Sequence, residues 1–201
     1  MYSHDSPSRL PGLVGLLALI GLVYLLLAGR QGPPEVSGWR GAASIAGEAR
    51  PLDVDSADAS VPSGNPLRDS HTVLTQGYGV GSHVPAAVWG ALDMAIDGDD
   101  DGVADPQGTA GAPIYATHDG VAQVRPNTWP AGNYLAIVNA QYKTAFAHLA
   151  RYAVADGAAV RRGQVVGYVG ATGQASGPHL HYEIWNQGVN VDPTDYGALN
   201  N

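Results

Sequence analysis

Residues 172–187 read TGQASGPHLHYEIWNQ, a glycine-rich stretch running into two histidines and an apolar-polar alternation. In an extended strand, side chains at i and i+2 point the same way. His179 and His181 therefore share one face, and Leu180 turns to the other. Pro178 opens the strand, where its missing N–H costs least. The loop before it, GATGQASGP, can bring backbone close to a substrate. Two imidazoles on one face at the mouth of such a loop suggest a catalytic or metal site rather than core histidines.

The same period-2 reading extends along the chain from residue 69. THDGVAQVRP, NYLAIVNA, YKTAFAHLA and GQVVGYVG are short runs, each closed by Gly, Pro, Asn or Asp. The expected class is an all-β, antiparallel domain over 69–201. Two stretches, GAPIYATHDGVAQV and GAAVRRGQVVGYVG, share a Gly-Ala entry, an apolar strand, a glycine turn and a valine-rich strand. They read as two similar β-hairpin units packed together, with His118 at a hairpin turn.

Composition limits the partners. The net charge is −8 and there is a single lysine, which argues against nucleic acid or an anionic membrane surface. The absence of cysteine excludes disulfides, a thiol nucleophile and thiolate metal sites, so any metal is held by His, Asp or Glu. After an N-terminal tail (1–9), residues 10–29 are apolar and uncharged, about one bilayer thickness as a helix. A transmembrane anchor is expected there rather than a cleaved signal peptide, because Leu26 stands where a small residue is wanted before Ala28. Residues 30–68, rich in Pro, Gly, Ala, Ser and Asp without a period, read as a flexible linker.

A third histidine, His148, ends the run TAFAHLA. With it in place, GYVGATGQASGPHLHYEIW, FAHLA, GNYLAIVN, GAPIYATHDGVAQV and LDMAID together resemble the LytM-like, lysostaphin-type zinc metallopeptidases. These are endopeptidases of bacterial peptidoglycan, and the likeness covers roughly residues 74–195 in the family's order. The resemblance implies a duplicated-hybrid-motif fold and a zinc cofactor. Carried over by position, it makes Asp93 and His181 zinc ligands and His148 and His179 the catalytic histidines beside the metal. Glu183 would support a ligand rather than act as the main base. Activity would fall at acid pH, as ligands and base protonate.

One position departs from the family's pattern. Its first zinc ligand is a histidine four residues before the aspartate, in His-x-Gly-x-Asp, and here WGALD places Trp89 and Ala91 in those positions. The indole nitrogen has no lone pair to offer a metal. Either another residue supplies the ligand or the metal site is broken. The best substitute is His83 in GYGVGSHVPAAVWGALD, where glycines and Pro85 let the segment turn back.

A second ion site is suggested by DGDDDGVADP, residues 97–106. Asp97, Asp99, Asp101, the carbonyl of Val103 and Asp105 follow the first nine positions of an EF-hand calcium loop, without its glutamate at position twelve. Two functions are therefore expected. One is a membrane-anchored zinc endopeptidase acting on peptidoglycan peptides, with its domain extracytoplasmic, or secreted if the apolar segment is cleaved. The other is a catalytically degenerate relative serving as a cell-wall binding module or an activator of another hydrolase.

Overall fold

The computed structural model describes residues 58–200. The expected tail, the apolar segment 10–29 and the linker up to residue 57 lie outside the described residues. Among the described residues no helix is long and apolar enough to cross a membrane.

The domain is built almost wholly from antiparallel strands. In chain order they are β1 (Thr72–Gln76), β2 (Leu92–Ile96), β3 (Pro113–Tyr115), β4 (Gly120–Thr128), β5 (Gly132–Val138) and β6 (Tyr142–Ala147). They continue with β7 (Arg151–Tyr152), β8 (Ala159–Val160), β9 (Val165–Tyr168), β10 (Leu180–Asn186) and β11 (Val189–Val191). The larger sheet runs β1-β2-β10-β6-β5-β4-β8, with β11 also on β10; the smaller runs β3-β9-β7. Single helical turns punctuate the loops at Gly81–His83, Ala86–Trp89, Pro106–Thr109 and Pro193–Tyr196.

Alternation along β10 sets the two faces of the large sheet. Leu180, Tyr182 and Ile184 are fully buried on one side, and Tyr182 stacks on Phe146 of β6 at 5.4 Å between ring centroids. The hydroxyl of Tyr182 reaches Thr117 Oγ1 at 2.8 Å, so the buried ring leaves no polar atom unpaired. Ile114, Val166 and Val169, in and beside the smaller sheet, belong to the same core cluster as Leu135, Ile137 and Phe146.

The two repeated stretches do not form hairpins of their own. β3 pairs with β9, and β4 pairs with β8, so each unit lends one strand to the other. The repeat is legible as two strand-turn-strand segments, but only their packing decides which edges meet. His118 accordingly sits in a connection between strands of different sheets, with its side chain fully buried rather than at a hairpin tip. The end of the expected linker is also packed: Leu67 belongs to the core, and Tyr115 N–H donates to the Pro66 carbonyl at 2.8 Å. The domain therefore begins before residue 69.

Candidate metal centre and groove

Strand register brings three of the sequence-selected residues together on the outer face of the large sheet. His181 lies directly opposite Asp93 across β10 and β2, and opposite Ala147 across β10 and β6. His181 Nδ1 is 2.9 Å from Asp93 Oδ1. His83 comes from the turn Gly81–His83 and is 2% exposed, with Nε2 at 3.3 Å from the same oxygen. One ligand atom from each of His83, Asp93 and His181 falls within 4.8 Å of the other two, as a metal site requires.

The hydrogen bonds around the imidazoles fix which nitrogen is free. A carbonyl can only accept, so the His83 Nδ1 that meets the Gly77 carbonyl at 3.0 Å carries the proton, and Nε2 offers its lone pair. The same logic holds for His148, whose Nδ1–H donates to the Thr172 carbonyl at 2.8 Å, and for His179, whose Nδ1–H donates to the Gly177 carbonyl at 2.9 Å. His181 is turned the other way round. Its Nδ1 faces Asp93, while its Nε2 stands 3.4 Å from Glu183 Oε1. Glu183 is held in turn by Trp185, whose Nε1–H donates to Oε2 at 2.6 Å.

His148 and His179 stand beside this trio, 4.9 Å apart between ring centroids, and His148 is 5.8 Å from His181. His148 has a φ of +60°, an uncommon conformation for a side chain of its size, of the kind that clusters at functional sites. The glycines of the loop 170–177 explain how its imidazole is gripped. A Cβ on Gly173 would run into the backbone of Pro130 and Gly132, and one on Gly132 into that of Thr172. Backbone thus packs on backbone, and the Thr172 carbonyl is delivered to His148.

Burial and charge pull in opposite directions here. Burial disfavours the Asp93 anion, but the hydrogen bond from His181, the close contact with His83 and the charges of His181 and His179 outweigh it and hold the carboxyl well below its usual range. For His181, burial likewise opposes protonation, and its bonds to Asp93 and Glu183 override that and push it up to about 9. His148 goes the other way: burial lowers it, and its neighbours His179 and His181 add to the effect.

Trp89 ends the turn Ala86–Trp89 and is half exposed on the wall of a groove, not in the ligand cluster. The turn is locked by Gly90, where a Cβ would strike Tyr78, the Ala86 carbonyl and Asn190. Asn190 Nδ2–H donates to the Gly90 carbonyl at 2.9 Å, and the Tyr78 hydroxyl to the Asn190 carbonyl at 3.1 Å. The groove itself holds about 960 Å³ and runs past the imidazoles. Arg125, Tyr134, Lys143 and Trp185 also line it. Reading the sequence missed them because no motif marks them; Lys143 being the chain's single lysine was the one available signal.

The acidic loop is assembled in part. Carboxylate oxygens of Asp97, Asp99 and Asp105 come within 4.8 Å of one another. Asp101 is not in that group and instead accepts from Val103 N–H at 2.8 Å. Asp97 accepts from Gly102 N–H, and Asp105 from Gly98 N–H, both at 2.8 Å. The loop's own amides thus take up the carboxylates, and nothing beyond the grouping points to calcium.

Residues 101–193 match the family model described as Peptidase family M23. The match begins after His83 and Asp93, so those two positions rest on geometry. Over 84 residues, 41% of this chain, the protein is 48% identical to a peptidoglycan DD-endopeptidase, ShyB, of Vibrio cholerae, of which it covers 20%. Over 124 residues, 61% of the chain, it is 37% identical to a DD-carboxypeptidase/endopeptidase, Mpg, of Neisseria meningitidis, of which it covers 26%. The chain thus spans about a fifth to a quarter of the length of these curated relatives. Among solved structures, a zinc-containing peptidase from Vibrio cholerae superposes with a TM-score of 0.52 at 32% identity, over 71% of this chain and 40% of that one. These likenesses agree on a domain of the peptidase family M23 type, matched over residues 101–193.

Proposed function

We propose that this domain is a zinc-dependent endopeptidase that hydrolyses peptide bonds in peptidoglycan. The observation that carries the reading is the convergence of His83 Nε2, Asp93 Oδ1 and His181 Nδ1 on one point beside two further imidazoles. The donor set fits zinc: two imidazole nitrogens and one carboxylate, with the far nitrogen of each imidazole already held by a partner and the His181 Nδ1 proton given up when a metal takes its place. Bound zinc would supply a Lewis acid that brings the pKa of a water down to about 7 and polarises a peptide carbonyl.

The chain's own groups do the rest. Glu183 accepts the His181 Nε2–H and so keeps Nδ1 turned toward Asp93. His148, neutral because of its burial, takes the proton from the attacking water at Nε2 and passes it to the leaving amine. His179 faces the same space and donates to the oxyanion formed at the carbonyl. His83 takes the ligand position that Trp89 cannot fill, and Trp89 forms part of the groove wall.

Peptidoglycan as substrate is supported by the names of relatives that match well under half of their own length. An extracytoplasmic, membrane-tethered domain follows from that substrate and from the apolar segment 10–29. The deciding experiment measures zinc per chain by mass spectrometry and, on the same sample of full chain, new amino termini released from purified peptidoglycan. Near-stoichiometric zinc with new termini supports the reading. Binding to peptidoglycan without zinc or cleavage would leave a cell-wall binding module instead.

A further inference from the structure

The groove carries a charge pattern that the ligand cluster does not use. The chain is strongly acidic, yet its single lysine, Lys143, and one of its nine arginines, Arg125, both face this groove. Lys143 is half-buried with its ammonium over the Trp185 ring, 4.1 Å from the centroid. Among the described residues neither Lys143 nor Arg125 appears in any ion pair within 4.0 Å. Glu183 is the nearby anion, but its oxygens already face Trp185 Nε1 and His181 Nε2. Burial works against the protonation of Lys143, the charge of Glu183 works for it, and that of Arg125 works against it, the net direction being down. Two cations near one another, with the one nearby carboxylate already engaged by Trp185 and His181, favour the arrival of a further anion.

The sheet leaves room for that anion. Between the row of His181 and Ala147 and the row of Trp185 and Lys143 lies the row Glu183, Ala145 and Ala136. Both alanines are fully buried, so along β6 only small side chains lie between Lys143 and the imidazoles, while Tyr134 of β5 stands opposite Arg125 and lines the same groove. Lys143 is four residues along β6 from Ala147, which stands opposite His181. That separation is about 13 Å of strand, less the reach of the lysine side chain.

We infer that Lys143 and Arg125 form a carboxylate-binding subsite, which selects peptides bearing a free carboxylate two to four residues from the bond to be cut. The placement of the cut bond rests on the peptidase reading; the anion site itself does not. Trp185 supports the ammonium from one side, and the alanine floor admits an extended peptide. A carboxylate bound there would accept charge-assisted hydrogen bonds from the half-buried Lys143 and the exposed Arg125. Amidation of that carboxylate removes the charge and leaves the cations unpaired.

The test compares two peptidoglycan-derived peptides identical except that the carboxylates of one are amidated. Binding to the full chain is followed by tryptophan fluorescence, and hydrolysis by mass spectrometry. The expected result is at least about tenfold preference for the acid form, the scale of one charge-assisted hydrogen bond. Lys143→Met or Arg125→Gln should bring that preference toward unity, and Lys143→Arg should retain it. Circular dichroism confirms that each variant is folded. If both peptides are cleaved and bound alike, the subsite is wrong and the peptidase reading stands. If neither is cleaved but the acid form binds preferentially and the variants lose that preference, the subsite stands and the peptidase reading fails. Absence of both binding and cleavage overturns both.

Discussion

His83 Nε2 and Asp93 Oδ1 stand 3.3 Å apart, although nine residues, a helical turn among them, separate them along the chain. The intervening segment turns back so that a buried imidazole, not the tryptophan nearer in sequence, completes the cluster. His83→Ala should therefore strip the domain of zinc and of hydrolytic activity, whereas Trp89→Ala should leave the zinc content unchanged. Metal analysis of the two variants side by side checks this. Loss of zinc in Trp89→Ala alone would reverse the assignment.

Glu183 acts through His181. Its Oε1 faces Nε2 at 3.4 Å and its Oε2 accepts from Trp185, so the ring is held with Nδ1 toward Asp93. Glu183→Gln keeps the shape and removes the charge. Zinc affinity should fall about 10- to 100-fold, measured by competition with a chelating dye, with secondary structure unchanged.

Gly90 is a packing constraint on the segment that carries His83. With Tyr78, the Ala86 carbonyl and Asn190 already against it, a methyl group has nowhere to go. Gly90→Ala should cost about 1–3 kcal/mol of stability in denaturant unfolding. It should also weaken zinc binding, since the turn bearing His83 must shift.

His118 sets a pH dependence apart from the groove. It is fully buried, with Nε2 3.1 Å from Thr144 Oγ1, and burial lowers its pKa below the ordinary 6.5 despite the nearby Asp119 carbonyl. Because the folded state resists protonation, the unfolded state binds the extra proton as pH falls below about 6.5. Stability from this group is therefore complete above that pH and declines below it, down to the folded value. Thermal unfolding of the metal-free domain from pH 7.5 to 5 should show the decline, and His118→Gln should flatten it.

Much of the fold follows from local pattern. The alternation of HLHYEIW already assigns His179 and His181 to one face and Leu180 to the other, because side-chain direction in a strand depends only on parity. His148, His179, His181 and Asp93 were recognisable because each sits inside a run whose order along the chain carries the likeness. Their nearness to one another then follows from strand register.

The remainder depended on contacts between segments far apart in sequence. Which imidazole stands beside Asp93 and His181 is decided by a segment held in place by Gly90, Asn190 and Tyr78. The two repeated stretches look like hairpins, yet β3 pairs with β9 and β4 with β8, since strand edges choose partners by packing rather than by adjacency. Leu67 lies in a run with no period, and only the core it enters makes it part of the domain. Lys143 and Arg125 belong to different strands, and their common groove exists only once β4, β5, β6 and β10 lie side by side. Local alternation thus determined which face each strand residue takes. Non-local pairing, which a linear pattern does not encode, decided which of those faces meet.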